Sequence, residues 1–381
     1  MNENKLNILF LLSHQPNPRF VKQIKFLSQK NNVILIYFYR NIMNDLLEDY
    51  KYDVKQIFIL DIIPDSLSSI SNYFNRIWKY VTSIITLNKK LNEYQIDICI
   101  TNNIDMQLMY NISSIFKSKQ TTKVIQISDL LSYHQSTSLN AKIFLFLEKI
   151  VFRSVDKLIV TSEKFFTEHY KNFFKGTYFV LENKPLKSLL PEKVPKNKNS
   201  KRIIGIVGLL LQLDVYERLF EAVKNDSRYE VHIYGMGKYA EKITAYARQI
   251  ENVKYCGPYK FFNDASKIYS SIDILYMPYS KINKSMNNRL ALPNKLYEAM
   301  YYKVPIITSK NTYLGSRVID LSIGLQTNYQ NLEDLKCSLE MIFNNYNKYV
   351  KNLNELDANL FLADKDYKKL EKFLTRDLRM L

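Results

Sequence analysis

Lys295 and Glu298 lie three residues apart in the run Leu292-Pro293-Asn294-Lys295-Leu296-Tyr297-Glu298-Ala299-Met300, which leads into Val304-Pro305-Ile306-Ile307-Thr308-Ser309. The run reads as loop, helix and then buried strand, with Pro293 in the first turn, where a missing N–H costs nothing. A lysine in that turn is unusual, because the positive end of the helix dipole lies there and favours Asp or Glu. An anion would resolve the conflict: the open N–H groups of the helix start, together with the ammonium, can bind a diphosphate. Glu298 falls on the same helix face one turn on, where its carboxylate can accept two hydrogen bonds from a ribose diol. The plain alternative is a surface Lys–Glu pair contributing a few tenths of a kcal/mol.

Elements able to hold such a site recur along the chain. Short apolar runs alternate with helical stretches, the pattern of parallel strands with crossover helices. Strands are expected at Ile8–Leu12, Val33–Tyr37, Gln56–Leu60, Ile96–Ile100, Val124–Ile127, Lys157–Val160 and Tyr178–Leu181. Further strands are expected at Arg202–Val207, Glu230–Tyr234, Val253–Tyr255, Ile274–Tyr276 and Pro305–Thr308. The fold class is therefore α/β, with two doubly wound, Rossmann-like domains and ligands at the carboxyl ends of their strands. The expected first domain is 1–186 and 187–200 is a basic Pro/Lys linker. The second domain is 201–359, and 360–381 form a Lys-rich amphipathic helix able to pack back on the first domain. A chain of 381 residues suits two domains of roughly 170–200 residues each.

The net charge of +17 is spread over both halves of the chain. Nucleic-acid binders more often cluster their charge with aromatic residues on one element, so no nucleic-acid partner is expected. Anionic lipid, a phosphorylated substrate or simply an evenly basic surface fits better. The three cysteines, Cys99, Cys256 and Cys337, are isolated and lack CxxC spacing, which excludes a disulfide framework or a zinc site and suits a reducing cytoplasm. The apolar run Leu6–Leu12 is a first buried strand rather than a signal segment. Nowhere do about 18 apolar residues follow one another, so no membrane span is expected.

The Pro293–Glu298 segment resembles the donor-binding signature of GT-B glycosyltransferases, in particular glycosyltransferase family 4 and related bacterial cell-surface polysaccharide enzymes. The resemblance extends over nearly the whole chain. Ile204-Gly205-Ile206-Val207-Gly208 looks like the strand and glycine loop that open the nucleotide domain. Ile233-Tyr234-Gly235-Met236-Gly237, Val253–Pro258 and Ser271–Pro278 follow in the usual order. Upstream, Glu148 to Ser162, with Arg153, Asp156 and Thr161, resembles the end of the acceptor domain, and Asn183 its closing Asn. The resemblance implies a GT-B architecture, with both domains facing a central cleft. It also implies a sugar-nucleotide donor and a glycan or lipid-linked glycan acceptor in cell-surface polysaccharide synthesis. Donor-binding residues would be Gly208, Arg289, Pro293, Asn294, Lys295 and Glu298.

Three departures qualify it. The carboxylate often found eight residues before the ribose-binding one is Leu290 here. The cations that usually follow the first glycine loop are replaced by Leu209-Leu210-Leu211-Gln212, so Arg289 or Lys281 would have to supply charge. The glycine commonly found before the Pro305 strand is replaced by Tyr302-Lys303. On the acceptor side, Ser13, His14 and Arg19 follow the first strand, and Asp129 and His134 follow another. Asp129 is the first candidate for activating the acceptor hydroxyl and His134 the second, with Lys295 stabilising the leaving group. Family 4 implies retention, in which the departing diphosphate takes the acceptor proton and no protein base is needed. The alternatives are inversion with Asp129 as base, or a degenerate, non-catalytic glycan- or membrane-binding protein. No DxD-type acidic pair stands out, so no bound cofactor and no metal are expected. Phe74, Ile77, Trp78, Tyr80 and Val81, with Arg76 and Lys79, form one apolar face fringed by cations. Lys142, Phe144, Leu145, Phe146, Lys149 and Arg153 form another. Each is either a core-facing stripe or a contact with anionic membrane, the latter placing the protein at the inner face of the plasma membrane.

Overall fold

The computed structural model describes residues 5–40, 54–63, 70–115, 120–197, 200–280 and 285–376. They form two compact units, Met1–Leu181 with Asp366–Leu381, and Glu182–Lys365. Each is built on one parallel sheet, which makes the α/β architecture that of two Rossmann-like domains.

The first unit carries a seven-stranded sheet in the order β3-β2-β1-β4-β5-β6-β7. Its strands are β1 (Asn7–Leu12), β2 (Asn32–Tyr39), β3 (Gln56–Ile62), β4 (Ile98–Thr101), β5 (Thr122–Ile127), β6 (Lys157–Val160) and β7 (Thr177–Val180). Helices α1 (Pro18–Leu27), α2 (Ile70–Glu93), α3 (Ile104–Ser113), α4 (Leu139–Phe152) and α5 (Glu163–Glu168) connect them. The central strand β1 is buried from Ile8 to Leu12, as a near-continuous apolar run must be when helices cover both sheet faces. Strand order reverses between β1 and β4, and there the loops are tied together. The Ser13 N–H donates to Asn102 Oδ1 at 3.0 Å, while Asn102 and Asn103 donate to Ser13 Oγ at 3.1 and 2.8 Å.

The second unit has a six-stranded sheet in the order β10-β9-β8-β11-β12-β13. Its strands are β8 (Arg202–Val207), β9 (Tyr229–Tyr234), β10 (Val253–Gly257), β11 (Ile274–Tyr276), β12 (Ile306–Ser309) and β13 (Gly324–Thr327). Its helices are α6 (Leu213–Val223), α7 (Ala240–Gln249), α8 (Phe261–Ser271), α9 (Met286–Leu290), α10 (Asn294–Tyr302), α11 (Tyr313–Asp320), α12 (Leu332–Asn344) and α13 (Tyr346–Glu355). The reversal lies between β8 and β11 and is tied in the same manner: Ser280 donates from its N–H to Gln212 Oε1, and from its hydroxyl to Asp214 at 2.9 Å.

The sequence patterns did not single out β13, whose four residues include one large apolar side chain, Leu325. A Cβ on Gly324 would stand 1.9 Å from the Ile306 carbonyl oxygen, so only glycine lets this edge strand close on β12. The basic stretch at 187–197 runs along the second unit: Val194 N–H donates to Ser266 Oγ (2.9 Å) and Asn197 N–H to the Ser270 carbonyl (3.0 Å). The last helix, α14, spans Asp364–Thr375 and so begins four residues later than the expected 360; 377–381 lie outside the described residues. Its Tyr367, Leu370 and Leu374 are buried, and Lys157 donates to the Phe373 carbonyl at 2.7 Å.

Helix α4 is arranged in reverse of an ordinary amphipathic helix. It buries the carboxylate of Glu148 and exposes Leu139, Ile143, Phe144, Phe146, Leu147 and Ile150. Glu148 Oε1 accepts from His134 Nε2 (3.2 Å) and Tyr170 Oη (3.1 Å), and Oε2 accepts from His169 Nε2 (3.0 Å). Burial opposes the carboxylate charge, but the hydrogen bonds from His134 and His169 outweigh it and hold the pKa at about 2. A folded-state pKa depressed from 4.5 to about 2 gives stability that is present above pH 4.5 and lost as pH falls towards 2. Glu148→Gln should therefore cost about 2–3 kcal/mol at pH 7 in urea unfolding, with the gap from the unsubstituted chain narrowing below about pH 4.5. Equal stability at pH 7 would show that the carboxylate does not organise this end of the unit.

Candidate active site

Helix α10 starts after Pro293, which sits at the N-cap with φ −77° and provides no side-chain acceptor; the first turn contains no acidic residue. Its N-terminal N–H groups and dipole thus meet Lys295 with no capping side chain to offset them. Lys295 folds its ammonium end onto the glycine loop after β8. A Cβ built on Gly208 would lie 2.1 Å from Lys295 Cε and 2.3 Å from Nζ. Gly208 has φ +111°, a conformation side chains resist, so glycine is required there for both backbone shape and space. Burial lowers the Lys295 pKa, and the Glu298 charge partly restores it.

Glu298 is 3% exposed. Asn294 Nδ2, one turn before it, donates to Oε1 at 2.6 Å, and Tyr269 Oη of α8 donates to Oε2 at 2.8 Å. These two donors fix the carboxylate's orientation beside Lys295. Gly208, Asn294, Lys295 and Glu298 thus come together at the carboxyl edge of β8, with Pro293 at the helix start. Two further loops form the floor. Gly208 N–H donates to the Tyr234 carbonyl, Leu210 N–H to Met236 and Gly235 N–H to Gly257, each at 2.8 Å. A Cβ on Gly235 would stand 1.8 Å from the Gly208 oxygen, so the β8 and β9 loops touch backbone to backbone.

Arg289 lies exposed in the last turn of α9, on a different helix from Lys295, and Lys281 lies outside the described residues. Leu290 is buried, so its position cannot offer a polar contact to a sugar. Where the family places cations, Leu209 and Leu211 are exposed and Leu210 is buried. Lys303 takes the left-handed conformation usual for glycine (φ 64°), so the helix exit keeps its shape with a different residue. The lysine is held by the Leu353 carbonyl at 2.5 Å and by the Phe361 ring.

In the first unit, Ser13 is fully buried and bonded to Asn102 and Asn103, which makes it a loop tie. His14 is half-buried, with Nδ1 2.6 Å from the Gln15 carbonyl; burial lowers its pKa against that bond, so it stays neutral at pH 7. Asp129 is exposed just beyond β5 and interacts electrostatically with Arg19 of α1. His134 does not suit the role of base expected for it. Its Nδ1 engages the Leu131 backbone at 2.9 Å and its Nε2 engages Glu148, leaving neither nitrogen open to an acceptor hydroxyl. The ligand atoms of His134, Glu148 and His169 lie within 4.8 Å of one another, the metal-capable grouping among the described residues. Here they meet through hydrogen bonds. Tyr269, Asn102 and His169 were not legible as partners. Asn102-Asn103 after an apolar strand was the one signal that could have marked a loop tie.

Comparison with known proteins agrees with this geometry. Residues 201–341 match the family model described as glycosyl transferases group 1. No curated protein sequence matches. Among solved structures, sucrose-phosphate synthase from Thermosynechococcus elongatus superposes with TM-score 0.75 at 14% identity, over 99% of this chain and 100% of that one. Anabaena HepE in complex with UDP gives 0.71 at 14% identity, over 97% and 100%. WaaG, a glycosyltransferase involved in lipopolysaccharide biosynthesis, gives 0.65 at 14% identity, over 97% and 99%. At such identities the structural likeness establishes the fold, while the family match covers the unit that holds Lys295 and Glu298. Residues 201–341 of the second unit thus match the glycosyl transferases group 1 model, and the chain has the fold of GT-B glycosyltransferases.

Proposed function

We propose that this enzyme moves a sugar from a nucleoside-diphosphate donor to a glycan or lipid-linked glycan in cell-surface polysaccharide synthesis, with retention of configuration and without a metal. The observation that carries the reading is the Lys295 ammonium resting on Gly208 beside an oriented Glu298. A diphosphate at the start of α10 would take the place of a capping acid, and the ribose diol would donate to Glu298. As the anomeric carbon–phosphate oxygen bond breaks, charge grows on the leaving diphosphate, where Lys295 and the helix N–H groups stabilise it. The acceptor oxygen bonds to the same face of the anomeric carbon, and its proton passes to the departing phosphate oxygen. Positioning and charge stabilisation then suffice without a protein nucleophile. UDP is the first donor nucleotide to test, because the similar HepE structure is titled as a UDP complex. One observation supports a second reading: Asp129 is exposed beyond β5 and would serve as base if transfer inverts.

Exposed apolar residues on the first unit support contact of the enzyme with an anionic membrane. Phe74, Ile77, Trp78, Val81 and Ile85 of α2 are exposed, Trp78 by 67% and Phe74 by 64%. Leu108, Ile112 and the α4 residues add to them, and exposed Lys89, Lys142, Lys149 and Arg153 supply cations. Monomeric soluble proteins rarely expose so much apolar surface. Tyr80, in contrast, turns inward against Phe38, with ring centroids 4.8 Å apart. Among the described residues no helix is long and apolar enough to cross a membrane, so contact would be along the surface.

Isothermal titration with UDP should show Lys295→Ala and Glu298→Gln each weakening binding by about ten-fold or more, with Gly208→Ala at least as damaging. Transfer should survive EDTA, and proton NMR of the product should show the donor's anomeric configuration. An inverted product, lost with Asp129→Asn, would establish the second reading. UDP binding without turnover of any sugar nucleotide would indicate a non-catalytic protein. For the membrane, Trp78→Ser with Phe146→Ser should abolish co-sedimentation with anionic vesicles, and neutral vesicles should bind little. Binding indifferent to both lipid charge and these substitutions would remove that part of the proposal.

A further inference from the structure

The outer edge of the sheet in the first unit is apolar and open. β3 stands first in the strand order, with β2 on one side and no strand on the other among the described residues. Natural edge strands are usually very short, charged or covered, because their unpaired N–H and C=O groups can take up another strand. β3 is none of these. Its seven residues, Gln-Ile-Phe-Ile-Leu-Asp-Ile, carry one charge, and Ile57, Ile59 and Ile62 are 44%, 52% and 54% exposed. Phe58 and Leu60 pack instead on the core, as do Tyr80 and Ile84 of α2. Side chains alternate along a strand, so Ile57 and Ile59 share the opposite, exposed face.

This edge is complementary to itself. Lys55 N–H donates to the Val33 carbonyl at 2.9 Å, so Lys55, Ile57 and Ile59 turn their backbone groups towards β2, and Gln56 and Phe58 turn theirs outwards. A second β3 can therefore pair antiparallel about a two-fold axis at Phe58, with Phe58 opposite itself as a hydrogen-bonded pair. That register sets Ile57 opposite Ile59 and Lys55 opposite Asp61, each twice by symmetry. The isoleucines then occupy non-hydrogen-bonded pairs, where side chains come closest, and Lys55 with Asp61 is a favourable cross-strand charge pair. Lys55 is exposed. Asp61 takes its bonds from Ile62 N–H at 2.7 Å and Lys79 Nζ at 3.1 Å on Oδ1, which leaves Oδ2 for a further cation among the described residues. A slip of one residue would set Lys55 opposite Leu60 or Ile62 and misalign the outward N–H and C=O groups. Charge and pleat thus select the same alignment.

We infer that the chain forms a two-fold dimer in which β3 of each copy pairs antiparallel with β3 of the other, joining the two seven-stranded sheets into one. A second copy suits the edge because its exposed isoleucines, its outward backbone groups and its two opposite charges are all matched by the same strand reversed. Neither Lys295 and Glu298 nor the exposed Trp78 and Phe146 belong to this strand. The dimer therefore stands or falls separately from the proposed transfer reaction and from the membrane contact.

Sedimentation equilibrium of the full chain reads the association directly. The unsubstituted protein should approach twice the monomer mass at about 100 μM. Ile57→Lys with Ile59→Lys should move the monomer–dimer midpoint to a concentration about a hundred-fold higher or more. Charge reversal tests the alignment itself: Lys55→Glu and Asp61→Lys should each weaken self-association by about ten-fold, because like charges then stand opposite one another. An equimolar mixture of those two variants should recover dimer to within about three-fold of the unsubstituted chain, since each copy again meets its opposite charge. Such recovery also shows that both variants fold. A chain that stays monomeric at about 100 μM would overturn the inference. So would a mixture no more dimeric than its components, or a dimer indifferent to the isoleucine substitutions. If those substitutions left the mass unchanged but abolished binding to anionic vesicles, β3 would belong to the membrane contact and the dimer would be rejected.

Discussion

A lysine placed in the first turn of a helix has to be held against the helix dipole, and much of the second unit can be read from how that is done. Lys295 cannot spread into solvent without leaving its neighbours, so it lies back over the chain where β8 ends. That position is open only because residue 208 has no side chain and a backbone conformation that side chains avoid. The same lack of bulk at Gly235 lets the β9 loop press against the β8 loop. Asn294 and Tyr269 then hold Glu298 one turn along, so a cation and a carboxylate are presented at a fixed spacing. The result is a helix start that is electropositive and uncapped, the arrangement that the proposed diphosphate leaving group would need.

The two units solve a common problem with different residues. In each sheet the strand order reverses near the middle, and the two loops flanking that point diverge, which opens a crevice at the carboxyl edge. A crevice formed by two free loops would be poorly defined. Ser13, Asn102 and Asn103 join the loops in the first unit, and Gln212, Asp214 and Ser280 join them in the second. Tyr329 also donates to Asp214 at 2.7 Å, carrying the tie to the chain after β13. Side chains that sequence alone would offer as ligands can therefore be spent on shaping the loop, as Ser13 is.

Charge is distributed against expectation in the first unit. Its α4 turns a carboxylate inward and exposes Leu139, Ile143, Phe144, Phe146, Leu147 and Ile150, while Val151 and Phe152 are buried. The inward Glu148 is stable because histidine and tyrosine donors from two other segments, His134 from one and His169 with Tyr170 from the other, surround it. Arg19 differs: it is only partly buried, and the charge that acts on it is the exposed Asp129. The closed network around Glu148 reads as architecture, and it takes up His134, which the sequence offered for the acceptor side.

The alternation of apolar runs with helical stretches was sufficient for two parallel-sheet domains, because parallel strands are buried on both faces and carry their apolar character without a break. The Pro293–Glu298 segment was legible for a related reason: a lysine at the positive end of a helix violates a local rule, and a local violation can be read locally. Gly324–Thr327 and the helices around it were not legible, since a four-residue edge strand with one large apolar side chain draws its stability from pairing with Ile306–Ser309. Nor could spacing show that Tyr269 would meet Glu298, that His134 would be consumed by Glu148, or that the leucines of α4 would face outward. Those outcomes depend on residues far apart in the chain being brought within hydrogen-bond range, and no periodicity records them. Sequence by itself determined the layers, the strand edges and the anomalous helix start. Tertiary structure decided which polar groups satisfy one another, because satisfaction depends on which segments fold against one another.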